Sequence, residues 1–220
     1  MVLSIKINLE FNMSMPMPKI LLSTIFLSCF PLSAYATVGG PQHIEVLGLD
    51  RKAQKIYLMR HFEDGRGRLP QLYYYQLNGT NPTKLIQVDS LYINPKTKLI
   101  DYDQNSTQFD IEIAKIQKRL LPLQPIHKSK AHIQLLSVKK GEAKAWYDPE
   151  IPIDKWSYQY QVKSFCLKSK PQTADSYKEE LNIAKVYKVP HNKNILVTVE
   201  YLGIPFETGY NIEDPVLLTK

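Results

Sequence analysis

Cysteine is nearly absent: the 220 residues hold only Cys29 and Cys166. That scarcity excludes a disulfide framework and a thiolate metal cluster, which need several cysteines at defined spacings. Glycine is also sparse, at 9 residues, and neither Gly-x-Gly-x-x-Gly nor a P-loop occurs, so the two common phosphate-cradling turns are missing. The Gly-x-Ser-x-Gly elbow and the His-Glu-x-x-His helix are missing too, which removes the serine-hydrolase and zincin signatures. No apolar run reaches the roughly 20 residues of a membrane-spanning helix.

What is present begins with Met17–Ala36, MPKILLSTIFLSCFPLSAYA. Lys19 supplies a positive charge, Ile20 to Phe30 form an apolar run, Pro31 breaks it, and Ala34-Tyr35-Ala36 offers small residues to a peptidase. Together these read as a secretory signal peptide cleaved after Ala36. Residues 1–16 then read as a mis-called extension, and residues 37–220 as one periplasmic or secreted domain, a size that one core can fill. Phe26-Leu27-Ser28-Cys29 fits a lipobox poorly, so a lipid on Cys29 is not expected. Cys166 is in phase with an aromatic strand face and reads as a small buried hydrophobe.

Basic residues outnumber acidic ones, 28 to 21, for a net charge of +7. Such a surface attracts anionic glycans or lipids, although solubility alone accounts for it. The same charge could draw nucleic acid, but no nucleic-acid partner is expected.

Period-two alternation dominates the rest. It is clearest over Trp156–Leu167, where Trp156, Tyr158, Tyr160, Val162, Ser164 and Cys166 share a face. Further strands are expected at 43–49, 55–62, 71–77, 84–88, 99–102, 131–138, 143–147, 183–189 and 194–202, with turns at Asn78-Gly79, Asn94-Pro95, Lys140-Gly141 and Pro190-His191-Asn192. Residues 107–121 instead carry a helical stripe of Phe109, Ile113, Ile116 and Leu120, opened by a capping box of Thr107 and Asp110. A second, weaker helix is expected over 174–181. The fold class is therefore mainly β (α+β): an antiparallel meander or sandwich-like sheet with one packed helix at 107–121.

Few residues suggest chemistry. The loop Glu63-Asp64-Gly65-Arg66-Gly67-Arg68 offers carboxylates for a cation and guanidinium groups for an anion, but Arg66 and Arg68 fall where calcium ligands would be expected. The five histidines follow no metal-ligand spacing, so neither a metal nor a cofactor is expected. Asp101/Asp103 and Asp148/Glu150 are acidic pairs without distinctive spacing, and Trp146, Tyr147 and Trp156 flank an acidic loop suited to sugar or peptide stacking.

Two groups of short motifs resemble an uncharacterised family of predicted secreted bacterial proteins. One is Val46-Leu-Gly-Leu-Asp50 with Asp64-Gly-Arg-Gly-Arg-Leu-Pro70; the other is Val186-Tyr187, Val197-Thr-Val-Glu-Tyr201 and Gly203-Ile-Pro-Phe-Glu-Thr-Gly209. The resemblance implies a secreted domain and brings no catalytic residues. The leading expectation is a non-catalytic binding or interaction domain whose ligand contacts include Glu63, Asp64, Arg66, Arg68 and Glu207. The partner would be an envelope protein or an anionic glycan or lipid. Two alternatives remain open: an envelope hydrolase using dispersed carboxylates such as Asp64, Asp148 and Glu207, and a protein held to anionic lipid or lipopolysaccharide.

Overall fold

The computed structural model describes residues 40–145, 148–204 and 209–220. The first meander runs through β1 (Gln42–Asp50), β2 (Lys55–Phe62), β3 (Gln71–Gln76) and β4 (Leu85–Gln87). Then come α1 (Ser106–Gln117), β5 (Gln124–Ile126), β6 (His132–Lys144), β7 (Pro152–Ser164), β8 (Leu167–Lys168) and β9 (Gln172–Ser176). A second meander, β10 (Asn182–Lys188), β11 (Ile195–Leu202) and β12 (Asn211–Leu218), ends the chain. The mainly β architecture with one packed α-helix is as the alternation implied.

Eight strands form one sheet in the order β4-β3-β2-β1-β12-β11-β10-β5, and a smaller sheet has the order β6-β7-β8 with β9 also on β7. The first and last strands of the large sheet thus lie side by side, parallel, with Gln42 opposite Ile212. Three clusters fill the interior. Tyr158, Tyr160 and Val162 of β7 pack with Val186, Val197, Val199 and Val216 of the second meander. Ile56, Leu58 and Tyr75 of the first meander meet Leu196 and Leu217 of the second. Phe109 and Ile113 of α1 pack against Tyr57, Met59 and Leu72. Phe109, Ile113 and Ile116 of the expected stripe lie on α1, but the helix ends at Gln117 and not at 121, so Leu120 packs from the segment after it.

The β1–β12 contact is brief because three features end it. Gly48 sits in a β-bulge between Val46 and Gly48 at φ +140°, and a Cβ there would lie 2.6 Å from the Leu121 carbonyl oxygen. Leu49 and Leu121 exchange backbone hydrogen bonds of 2.8 and 2.9 Å, so β1 bonds to residue 121 there. On β12, the Pro215 carbonyl accepts from the Tyr75 hydroxyl at 2.8 Å. A strand residue's N–H and C=O point to the same side, so the donor that proline lacks faces that gap and not β11. At the junction itself the buried Glu213 carboxylate accepts from the Ile44 N–H at 2.8 Å and from Lys185 Nζ at 3.1 Å. Lys185 also donates to the Ile44 carbonyl at 3.1 Å. At the far end of β1, buried Asp50 accepts from the Ala53 N–H at 2.9 Å and Arg119 Nε at 2.7 Å. Burial pushes its carboxyl up, but the Ala53 N–H and the Arg119 guanidinium outweigh that and hold it below the usual carboxylate range.

Several expectations are corrected. Residues 99–102 form no strand; Ile100 makes a single bridge to Ile93. The Asn94 side chain there bonds the Lys96 and Thr97 N–H groups, and Asp101 bonds that of Asp103, giving the backbone local partners instead of a ladder. Lys140-Gly141 is not a turn, because pairing with β7 continues through Gly141 opposite Lys155, and 131–138 and 143–147 merge into the single strand β6 as far as Lys144. Residues 174–181 hold no helix: Ala174 to Ser176 belong to β9, drawn into pairing with Tyr158 to Trp156. Helix α1 is capped by Asn105, whose side chain accepts from the Thr107 N–H at 2.8 Å, so Thr107 lies inside the helix. The face of Tyr158, Tyr160, Val162 and Ser164 is buried as expected, but Phe165 at φ +52° turns the chain and leaves Cys166 exposed.

Replacing Gly48 by Ala places a methyl group on the Leu121 carbonyl at an unfavourable φ; a loss of about 2–3 kcal/mol is expected in urea unfolding. Glu213→Ala strands the buried Ile44 N–H and should cost about 2 kcal/mol. The surface change Glu112→Ala serves as a near-neutral control in the same urea series.

Candidate functional site

The loop after β2 gathers four of the five expected ligand-contact residues. Gly65 and Gly67 adopt φ of +72° and +68°, angles that glycine accepts without a side-chain penalty. They fold the loop back so that its charges meet partners within the protein. Glu63 pairs with His43 at 3.2 Å. Asp64 is buried; its Oδ1 accepts from the Arg66 N–H at 3.1 Å, and its Oδ2 lies 2.8 Å from Arg68 Nε, off the hydrogen-bond axis. Arg66 pairs with Asp103 at 2.8 Å, and the Arg68 guanidinium covers the Phe62 ring at 3.6 Å. The loop is therefore anchored by buried Asp64, while the Glu63 and Arg66 pairs to His43 and Asp103 lie at the surface. Glu207 lies outside the described residues, as do Trp146 and Tyr147.

Asp101 and Asp148 of the expected acidic pairs also have local partners. Asp101 accepts from the Asn94 amide at 3.1 Å, and Asp148 accepts from the Glu150 N–H at 3.0 Å. Among the described residues no three His, Cys, Asp or Glu side chains converge as a metal site would require.

A polar cleft of 510 Å³ lies where β9 faces the central strands β2, β1, β12 and β11 of the large sheet. On one wall Asp214 accepts from Arg60 Nη2 at 2.6 Å and from the Tyr201 hydroxyl at 2.8 Å, while Arg60 Nη1 donates to Gln42 at 3.0 Å. Thr173 to Asp175 form the facing wall. Burial, reinforced by Asp214, pushes the Tyr201 phenol far up, so it remains a donor at neutral pH. The constellation can orient a polar group, but its strongest bonds are internal. Sequence reasoning missed it because four strands contribute to it. The available signal was Arg60, a charge on the face of β2 that otherwise carries Ile56 and Leu58.

The most open surface is β6. Its 13 residues pair with β7 along one edge, and among the described residues no strand pairs with the other. Ile133, Leu135 and Val138 stand opposite Val162, Tyr160 and Tyr158 and so share the core face of β7. Ile133 still packs on the core. Leu135 and Val138 overhang it, 50% and 41% exposed, and Leu136 on the same strand is 43% exposed. Lys139 and Lys144 make β6 cationic at its far end, while Lys140 pairs with Asp154 at 3.4 Å. A long open edge carrying apolar side chains is unusual, because it templates pairing with another chain.

No family model matches the chain, and neither a curated protein nor a solved structure does.

The loop and the surface beside it should respond differently to mutation. Asp64→Ala removes a buried acceptor facing Arg68 and an N–H, and a loss of about 1–3 kcal/mol is expected in chemical denaturation. Glu63→Ala removes an exposed pair and should change stability by less than about 0.5 kcal/mol. Equal effects would show that the loop is not held from Asp64.

Proposed function

We propose that this protein is a non-catalytic interaction domain of the bacterial envelope, periplasmic or secreted, which adds an extended segment of a partner protein to the open edge of β6. The observation that carries the reading is the length and exposure of that edge together with the apolar overhang of Leu135, Leu136 and Val138. Main-chain hydrogen bonds would supply affinity, and alternate side chains of the added strand would supply specificity. Its complement is a strand with apolar residues opposite Leu135 and Val138 and an acidic residue opposite Lys139, with Glu142 interrupting the lysines beyond. Export rests on the residues of Met17–Ala36. No helix among the described residues is long and apolar enough to cross a membrane.

The test is a photo-crosslinking residue at Ser137, compared in living cells with one at Gln108, an exposed position on α1. A discrete protein adduct is expected from Ser137 alone, and Leu135→Asp with Leu136→Asp should abolish it. Both leucines are exposed, so the thermal midpoint should shift by only a few degrees. Adducts of equal yield from both positions, or none from Ser137, would refute the proposal; an adduct of the protein with itself would replace the partner by a second copy.

A further inference from the structure

A second surface, independent of β6, lies at the opposite end of the second meander. An apolar recess of 580 Å³ has Ile126 of β5, Leu167 of β8 and Ile195 of β11 in its wall. Leu167 and Ile195 are core residues, each 5% exposed, so the recess reaches the interior. Phe165 stands at its mouth, 75% exposed, on a backbone of φ +52° that bulky side chains rarely adopt. Both an exposed phenylalanine and a left-handed backbone cost free energy, and such costs concentrate at binding sites.

The charged side chains around it are of one sign. Lys130, Lys188, Lys193 and Lys220 border the recess, and no aspartate or glutamate side chain lines it. Among the described residues none of these four lysine side chains pairs with a carboxylate. A second, 640 Å³ depression shares Lys188, Asn192, Lys193 and Lys220 with the first and adds His191 and Asn194, again without an acidic side chain. An apolar chamber thus adjoins a cationic vestibule. Long lysine stems suit this arrangement, since they extend apolar walls while keeping their ammonium groups in water.

We propose that this recess binds a single-chain anionic amphiphile. Its hydrocarbon tail lies against Ile126, Leu167 and Ile195, and its carboxylate or phosphate head lies between Lys188 and Lys193. The volume falls within the usual range for small-molecule pockets, and an apolar wall with a few placed polar groups is their usual composition. A neutral chain would leave the lysine pair unused, and a cationic one would be repelled by it.

Calorimetric titration of the full chain tests this with dodecanoate and dodecyl phosphate below their micellar concentrations, against dodecyltrimethylammonium and dodecanol. One-to-one binding of an anion at least tenfold tighter than the cation is expected. Comparing the two anions tells a carboxylate head from a phosphate. Lys188→Glu with Lys193→Glu, both on exposed positions, should weaken anion binding at least tenfold and leave dodecanol unchanged. Phe165→Ser should weaken both. Equal affinity for the cation, insensitivity to charge reversal, or binding only to micelles or anionic vesicles would overturn the proposal.

Discussion

The fold depends on how β1 is held against β12, because among the described residues that contact alone joins the two meanders edge to edge. A parallel pair between the first and last strands has a large loop to close, and the chain gives it little ladder with which to do so. Glu213 compensates. Its carboxylate reaches the Ile44 N–H, and Lys185 from β10 bonds both that carboxylate and the Ile44 carbonyl. Side chains thus take over the backbone's hydrogen-bonding role where the strands part. Lys185 is partly exposed, so its ion pair is screened; the buried carboxylate-to-amide bond is the stronger constraint.

The parting of the strands has consequences on both sides. Gly48 allows the backbone around residue 121 to approach β1, and Leu121 and Leu123 carry the chain from α1 into β5 and the second meander. The loop of Glu63 to Arg68 stands at the other end of the same hairpin, where its Glu63 N–H bonds the Pro41 carbonyl at 2.9 Å. Residues that resemble a ligand clamp in the sequence thus secure the start of β1. Charged residues beside glycines are ambiguous for that reason: burial decides whether they serve the fold or a ligand, and burial depends on distant chain.

Alternation was enough to locate most strands, and an apolar stripe enough to locate α1, because both signals are local. What local signals could not reveal was long-range. β12 contains Pro215, which argues against a central strand until the gap beside it is seen. β9 is short and polar and becomes a strand only through β7. Gly141 resembled a turn because nothing nearby shows that β7 pairs across it. Cys166 followed the periodicity of its strand until Phe165 reversed the chain. Arg60 was visible as an anomaly on its face, yet its partners Asp214 and Gln42 lie far away in sequence.

Both proposed binding surfaces follow from one mismatch between the two sheets. The smaller sheet covers the second meander through β7, β8 and β9, but β6 is paired beyond the covered area, so side chains on the core face of β7's partner have no core to enter. That produces the overhang of Leu135 and Val138. At the other end, β8 is only two residues long, and the turn before it leaves the β5 and β11 side chains incompletely covered. A designed sandwich would trim the first margin and fill the second, since open edges invite aggregation and cavities reduce stability. The same mismatch thus gives two margins of different chemistry, one an apolar strand edge and the other an apolar recess bordered by lysines.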